Sequence, residues 1–302
     1  MLKKITLLTA LAGTLFAGTL HAETLKYAGS DFLAGTAETV LREELKKSAT
    51  PTTIEGELLG SKVALDQLRK GEIDFAIVML ADSNSIPEFK DKTWRANAIG
   101  YQVSYLIVPQ SNPVEELSLF QLRGIFANFS EEPLNSWNEI SDKVTGTPKI
   151  QRILSTENDN AGGVTFQSLV FPRAGFNKDI RKTDSDEDAV RAVLNTGNAI
   201  ALTASPPIGQ PSLKTLAISP ANKKGEKSTA YSPVPANIYN HDYPLSVQFL
   251  LVYPAEKREK IVPVIRTILS EPFAKALEKA ALMPIPKNIR EMLKKNIDAP
   301  EK

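Results

Sequence analysis

Few side chains in this 302-residue chain could do chemistry, and they are of two kinds. The first is a proton-transfer pair, His241-Asp242. Histidine titrates near neutral pH and an adjacent carboxylate can orient it, but a hydrolase also needs a positioned nucleophile. The chain has no cysteine, and no G-x-S-x-G, H-E-x-x-H or P-loop pattern occurs in it. A lone histidine is more simply structural, so neither an enzyme nor a cofactor is expected. The second kind comprises hydroxyl and glycine residues at expected strand–turn–helix junctions: Ser30 with Asp31 and Phe32, Ser61 after Gly60, and Ser155 to Thr165 with Gly162-Gly163 between. Unpaired N–H groups at a helix start carry partial positive charge, so such junctions can hold an anion. Each also has a plain reading. Ser30 and Ser61 suit capping positions, Asp31 can cap the first helix, and Gly162-Gly163 suits either a tight turn or a backbone nest. The acidic run Asp184, Asp186, Glu187 and Asp188 lacks the alternating spacing of a calcium loop and reads as a solvated helix start. No metal site is expected.

Composition narrows the classes further. Hydrophobic residues make up 42% and charged residues 24%, which excludes a disordered or low-complexity chain. Lys and Arg number 36 against 35 Asp and Glu, and that balance argues against a nucleic-acid surface. Without cysteine there are no disulfides, thiolate metal sites or lipidated N-terminal Cys. Residues 1–22 carry Lys3 and Lys4 ahead of a short apolar run and end at Leu20-His21-Ala22, the pattern of a signal peptide. The run is too short and too interrupted by Thr and Gly to span a bilayer. The expected product, residues 23–302, is exported and soluble.

The elements that must position these junctions alternate. Thr24–Ala28 reads as a strand, followed by helical spacing at Leu33, Ala37, Val40, Leu41 and Leu45. Ile54–Leu59 is extended, a helix carries Val63, Leu65 and Leu68, and Ile73–Leu80 and Val103–Val108 are apolar strands. Ser118 and Gln121 form a capping-box pattern ahead of a helix. Ile150–Leu154 is a strand, Thr165–Phe171 looks helical, and a helix opens at Asp184–Asp188. Ala199–Leu202, Leu216–Ile218 and Leu245–Val252 are strands, and three amphipathic pieces at 256–270, 272–282 and 286–296 close the chain. This alternation predicts an α/β fold with largely parallel sheets, in which ligands sit at strand carboxyl ends.

The order of these pieces resembles the substrate-binding proteins of phosphate ABC transporters, within the type II periplasmic-binding superfamily. The resemblance is carried by Tyr27-Ala28-Gly29-Ser30, by Leu59-Gly60-Ser61, and by Leu68-Arg69-Lys70-Gly71-Glu72-Ile73-Asp74-Phe75-Ala76. It continues through Ile107-Val108-Pro109 to Pro113-Val114, Leu117-Ser118 to Ile125-Phe126, Asn135-Ser136-Trp137-Asn138-Glu139-Ile140, and Tyr243-Pro244-Leu245-Ser246. It implies a two-lobed type II periplasmic-binding-protein fold, with mixed sheets flanked by helices and two crossover strands as hinge. Lobe one would be 23–107 plus 240–302 and lobe two 108–239, with Val103–Val108 crossing outward and Leu245–Val252 returning. It also implies a periplasmic, monomeric, non-enzymatic receptor. Such a receptor clamps phosphate or another small oxyanion between its lobes and hands it to an ABC transporter permease, with no nucleic-acid partner. A periplasmic accessory or sensor protein on the same scaffold is the second reading.

Carried over residue by residue, the ligand contacts would be Ser30, Asp31, Phe32, Ser61, Ser155, Gly162, Gly163 and Thr165. The site departs from the family pattern at several of them. Ile77-Val78-Met79 stands where the family has Ser and then Asp after Asp74. Asn160-Ala161-Gly162-Gly163-Val164-Thr165 replaces a Gly-Ser-Gly-Thr turn. The strand ends at Ser155 where an arginine is expected, and period-two alternation turns Arg152 to the opposite face.

Overall fold

The computed structural model describes residues 23–48, 50–80, 86–156 and 161–297. The signal-like segment 1–22 and residues 157–160 of the expected polar turn lie outside the described residues. The chain opens with β1 (Glu23–Gly29), α1 (Thr36–Lys47), β2 (Thr52–Glu57), α2 (Ser61–Arg69), β3 (Phe75–Leu80), α3 (Pro87–Lys90) and β4 (Trp94–Val103). It continues through β5 (Tyr105–Pro109), β6 (Glu116–Ser118), α4 (Leu119–Phe126), β7 (Gln151–Ser155), α5 (Ala161–Val170), β8 (Arg181–Thr183), α6 (Asp186–Leu194), β9 (Ala199–Thr203), β10 (Leu213–Thr215), β11 (Ala217–Ser219) and α7 (Pro235–Tyr239). It returns with β12 (Ser246–Pro254), α8 (Arg258–Ile268), α9 (Glu271–Lys279), β13 (Met283–Pro284) and α10 (Lys287–Ile297).

Two sheets give the two lobes. One runs β13-β4-β12-β3-β1-β2 and the other β10-β5-β9-β7-β8. Each has a parallel centre, β1 with β2 and β3 in the first and β7 with β8 and β9 in the second. The sheets are nevertheless mixed rather than largely parallel. β12 runs antiparallel to β3 and β4, and β5 runs antiparallel to β9 and β10. The physical reason is the crossing itself. Helical crossovers keep neighbours parallel within a lobe, whereas β5 and β12 enter from the other lobe and run against their neighbours.

Alternation along β12 builds two cores at once. Phe249, Leu251 and Tyr253 join Leu33, Leu41 and Leu45 and the Ile261, Val264, Ile265 and Ile268 stripe of α8. Leu250 and Val252 pack instead with Leu65 and Leu68 of α2. The second lobe has its own core around Leu106, Val108, Phe126, Phe166 and Ile200.

Two expected boundaries change, and one strand is new. The strand expected over Val103–Val108 is two strands broken at Ser104, whose N–H leaves the ladder and donates to the Leu245 carbonyl at 2.9 Å. The returning strand begins at Ser246, one residue later than expected. The strand β4 before Val103 has no counterpart in the sequence reading, because Arg95 and Asn97 break its apolar pattern; in its first half only Arg95 and Ala96 are exposed, and the strand is paired to β12.

Candidate functional site

In the six-stranded sheet the turns after β1 and β2 are tied together, since the Gly60 N–H donates to the Gly29 carbonyl at 2.9 Å. Gly60 adopts φ 102° and ψ 151°, a backbone that glycine tolerates and side chains do not. Gly60 therefore occupies the cap position of α2, and Ser61 is its first helical residue rather than the expected cap. The Ser61 Oγ accepts the Met79 N–H at 2.9 Å and pins the start of α2 to the end of β3. Ser30 follows β1, donates its N–H to the Ile77 carbonyl at 2.7 Å, and is 2% exposed. Asp31, Phe32 and Leu33 make one 3-10 turn, with Asp31 exposed and Phe32 half-buried against the core. Asp31 does not cap α1, whose cap position is Gly35.

In the second lobe, Ser155 ends β7 and is buried. The helix expected from Thr165 starts four residues earlier, at Ala161, so Gly162 and Gly163 are helical and buried rather than part of a turn. Close packing explains the glycine at 162. A Cβ there would lie 3.2 Å from the Ala204 Cβ and 3.3 Å from its Cα, tighter than ordinary contact. Thr165 is fully buried, and its Oγ1 is 4.0 Å from the Met79 Sδ of the other lobe. At the crossing, the Ser104 Oγ donates to the Gly162 carbonyl at 2.9 Å, and the Ser104 carbonyl accepts the Tyr243 hydroxyl at 2.8 Å. Complete burial pushes the Tyr243 hydroxyl pKa well above its usual value, so it stays a donor.

Hydrogen bonds thus join Ser61 to Met79 and Gly162 to Ser104, and Met79 meets Thr165 across the lobes. Ser30 and Ser155 sit at the ends of β1 and β7. Among the eight predicted residues the donors are hydroxyls and N–H groups, and none is cationic. Arg152 is turned away, as alternation predicted. It is buried, donates to the Ile125 and Leu134 carbonyls and to the Asn135 Oδ1, and burial lowers its pKa from the usual arginine value.

The other singled-out residues make the following contacts. His241 sits at φ 62° just after α7, with its ring 6.0 Å from that of Tyr101. Ser185 caps α6 through the Asp188 N–H at 3.0 Å. Asp186 departs from the solvated reading: it is buried, and its Oδ2 accepts the N–H groups of Ala204 at 3.1 Å and Ser205 at 2.8 Å. Met79 both packs on the core and reaches the other lobe. Ser104 and Asp186 were missed as positioning residues. Ser104 had a legible signal, a lone hydroxyl inside an apolar run; Asp186 had none.

Among the described residues, two cavities border the second lobe. One of about 1080 Å³ is bordered by Glu115, Gln121, Lys143 and Lys224 and shares no predicted residue. One of about 730 Å³, bordered by Thr156, Val164, Lys178 and Lys182, opens beside the first turn of α5.

Comparison with known proteins agrees with this geometry at the level of fold. No curated protein matches the chain. Among solved structures, a possible phosphate binding protein from Planctomyces limnophilus superposes with a TM-score of 0.72 at 18% identity, over 92% of this chain and 98% of that one. An ABC-type phosphate transport receptor from Vibrio cholerae gives 0.59 at 20% identity, over 86% and 99%. PstS from Borrelia burgdorferi gives 0.66 at 14% identity, over 87% and 99%. At these identities the likeness is one of fold. A family model described as a PBP superfamily domain matches residues 17–276, and the chain belongs to that family.

Proposed function

We propose that this protein is a non-enzymatic periplasmic receptor that captures a small oxyanion, phosphate or a relative of it, between two lobes. The observation that supports the reading is the contact of buried Thr165 in α5 with Met79 at the end of β3, across the two lobes whose β1 and β7 end at buried Ser30 and Ser155. Losing water from an oxyanion is costly unless donors replace it, and hydroxyls beside a helix start do so. The lobes are taken as 23–107 plus 240–302 and 108–239. Bound solute contacts both and favours the closed arrangement. Residues 1–22 act as a signal peptide, the mature protein is a monomer, and an ABC permease receives the solute. Among the described residues no helix is long and apolar enough to cross a membrane.

Thermal melting of residues 23–302 against millimolar phosphate, sulfate, phosphonates, molybdate and small carboxylates tests this. A ligand at 100 times its dissociation constant adds about 2.7 kcal/mol, which moves the melting point by several degrees. The shift is expected to vanish in Gly163→Asp. The second reading, an accessory or sensor protein with a degenerate site, is favoured by the commitment of Arg152 to carbonyls and by Met79 at the cleft. A flat panel together with capture of an envelope protein would establish it instead.

A further inference from the structure

The larger cavity, of about 1080 Å³, lies at the end of the second lobe that faces away from the crossing. β5 leaves the crossing just after Ser104 and runs to Pro109, roughly 17 Å of strand, before the chain reaches the cavity at Pro113. The wall formed by 132–134 and 139–143 is tied to the start of β7, not to its Ser155 end, because the Ile150 N–H donates to the Asn135 carbonyl at 2.8 Å. The groove is thus remote from the proposed solute site.

A bare strand edge borders it. Residues 113–118 line the groove without a gap, and β6 lies within them. Among the described residues β6 pairs only with β11, in parallel. The Ala217 N–H donates to the Glu115 carbonyl at 3.0 Å. In a parallel ladder that bond directs Leu117 to β11 and leaves the Glu116 N–H and carbonyl on the outer side, where an added strand can pair. Phe120, Leu134 and Ile140, each half-buried, give the groove apolar surface. The charges around it are unevenly spent. Of five lining carboxylates, Glu115 and Glu132 pair with Lys214 and Lys224, and Glu139 and Glu226 each accept two backbone N–H groups. Only Glu116 is left. Of four lining lysines, Lys143, Lys223 and Lys227 are exposed and pair with no carboxylate among the described residues.

The geometry points to a docking groove for an extended acidic segment of a partner protein, which adds as a strand to the outer edge of β6. Period-two alternation sets the composition of that segment: acidic side chains toward the three lysines, apolar ones toward Phe120, Leu134 and Ile140. Main-chain bonds to Glu116 fix its position, and the lysines choose its sign. A basic segment of the same shape would set like charges against the three ammoniums and is rejected. This surface goes beyond the oxyanion-receptor reading and does not depend on it.

The test is fluorescence anisotropy of labelled eight-residue peptides, at pH 7.5 and low salt, with the full mature chain. The probes are alternating Glu-Val, alternating Lys-Val, and two Glu-Val peptides N-methylated on the Glu amides or on the Val amides. Glu-Val is expected to bind at least tenfold more tightly than Lys-Val. An added strand turns only alternate amides to its neighbour, so one methylation pattern should weaken binding at least tenfold and the other less than threefold. Reversing the charges together, Lys143→Glu with Lys223→Glu and Lys227→Glu, should remove the preference for Glu-Val. Lys46→Glu, an exposed lysine of α1, should not. All four altered side chains are exposed, so the melting temperature is expected to hold and serves as the check on folding. Equal binding of Glu-Val and Lys-Val, an unchanged preference in the triple variant, or equal effects of the two methylation patterns overturns the inference, as does no binding of Glu-Val at millimolar peptide. None of these results touches the receptor reading, which the melting panel tests by itself.

Discussion

Asp74 shows how a motif residue is turned to structural use. It accepts the Lys26 N–H at 2.8 Å and the Lys257 ammonium at 2.8 Å, joining the entry of β3 to β1 and to the start of α8. Burial alone would raise its pKa; the bonds from Lys257 and Lys26 outweigh it and hold the carboxyl below its usual range. A depressed folded pKa means the stabilisation is present above the unfolded value of about 3.9 and is lost as pH falls through the lower folded value. Asp74→Asn is expected to cost about 1–2 kcal/mol at pH 7 and to flatten the loss of stability below about pH 4, read by urea unfolding at both pH values. Single residues were unevenly legible. The outward turn of Arg152 needed only period-two alternation. The burial of Asp186 depended on the turn at 204–205 arriving through β9, which no local pattern encodes. Ser61 was legible as a residue of the junction but not as the acceptor for Met79, which lies on a different element.

The first turn of α5 is the most informative element. Its glycines read as a turn because glycine disfavours helix interiors by about 1 kcal/mol, yet tertiary packing on Ala204 recruits Gly162 into the helix. Gly162→Ala is expected to cost about 1–3 kcal/mol by overpacking and to weaken solute binding, because it pushes the helix start away from Ser104. Gly197→Ala, where a Cβ meets nothing within 4 Å, is the control that should change neither. Unfolding and titration of the two variants side by side check this. Long apolar strands such as β3, β9 and β12 were legible because burial on both faces leaves a continuous run. The strand β4 was hidden because Arg95 and Asn97 interrupt its first half and its pairing is supplied by β12, about 150 residues later.

At the scale of the whole molecule, the two lobes meet at a buried polar knot in which Ser104 bonds Gly162, Leu245 and Tyr243. Ser104→Ala leaves the Gly162 carbonyl without that donor. It is expected to cost about 1–2 kcal/mol and to widen the distribution of lobe separations measured by small-angle scattering. The two-lobed plan was legible from the order of motifs along the chain; the lone hydroxyl of Ser104 stood out in its apolar run, but the break it makes did not, since that exists only because both crossings pass side by side. The sheet order carries one more consequence. β12, made in the last fifth of the chain, is inserted between β3 and β4. During synthesis β3 and β4 must wait with bare edges while the second lobe, contiguous in sequence, can already collapse. The first lobe is thus the late and sticky half of the folding reaction, the half a holding chaperone would shield, and truncation just before Ser246 should yield aggregation rather than a smaller folded protein.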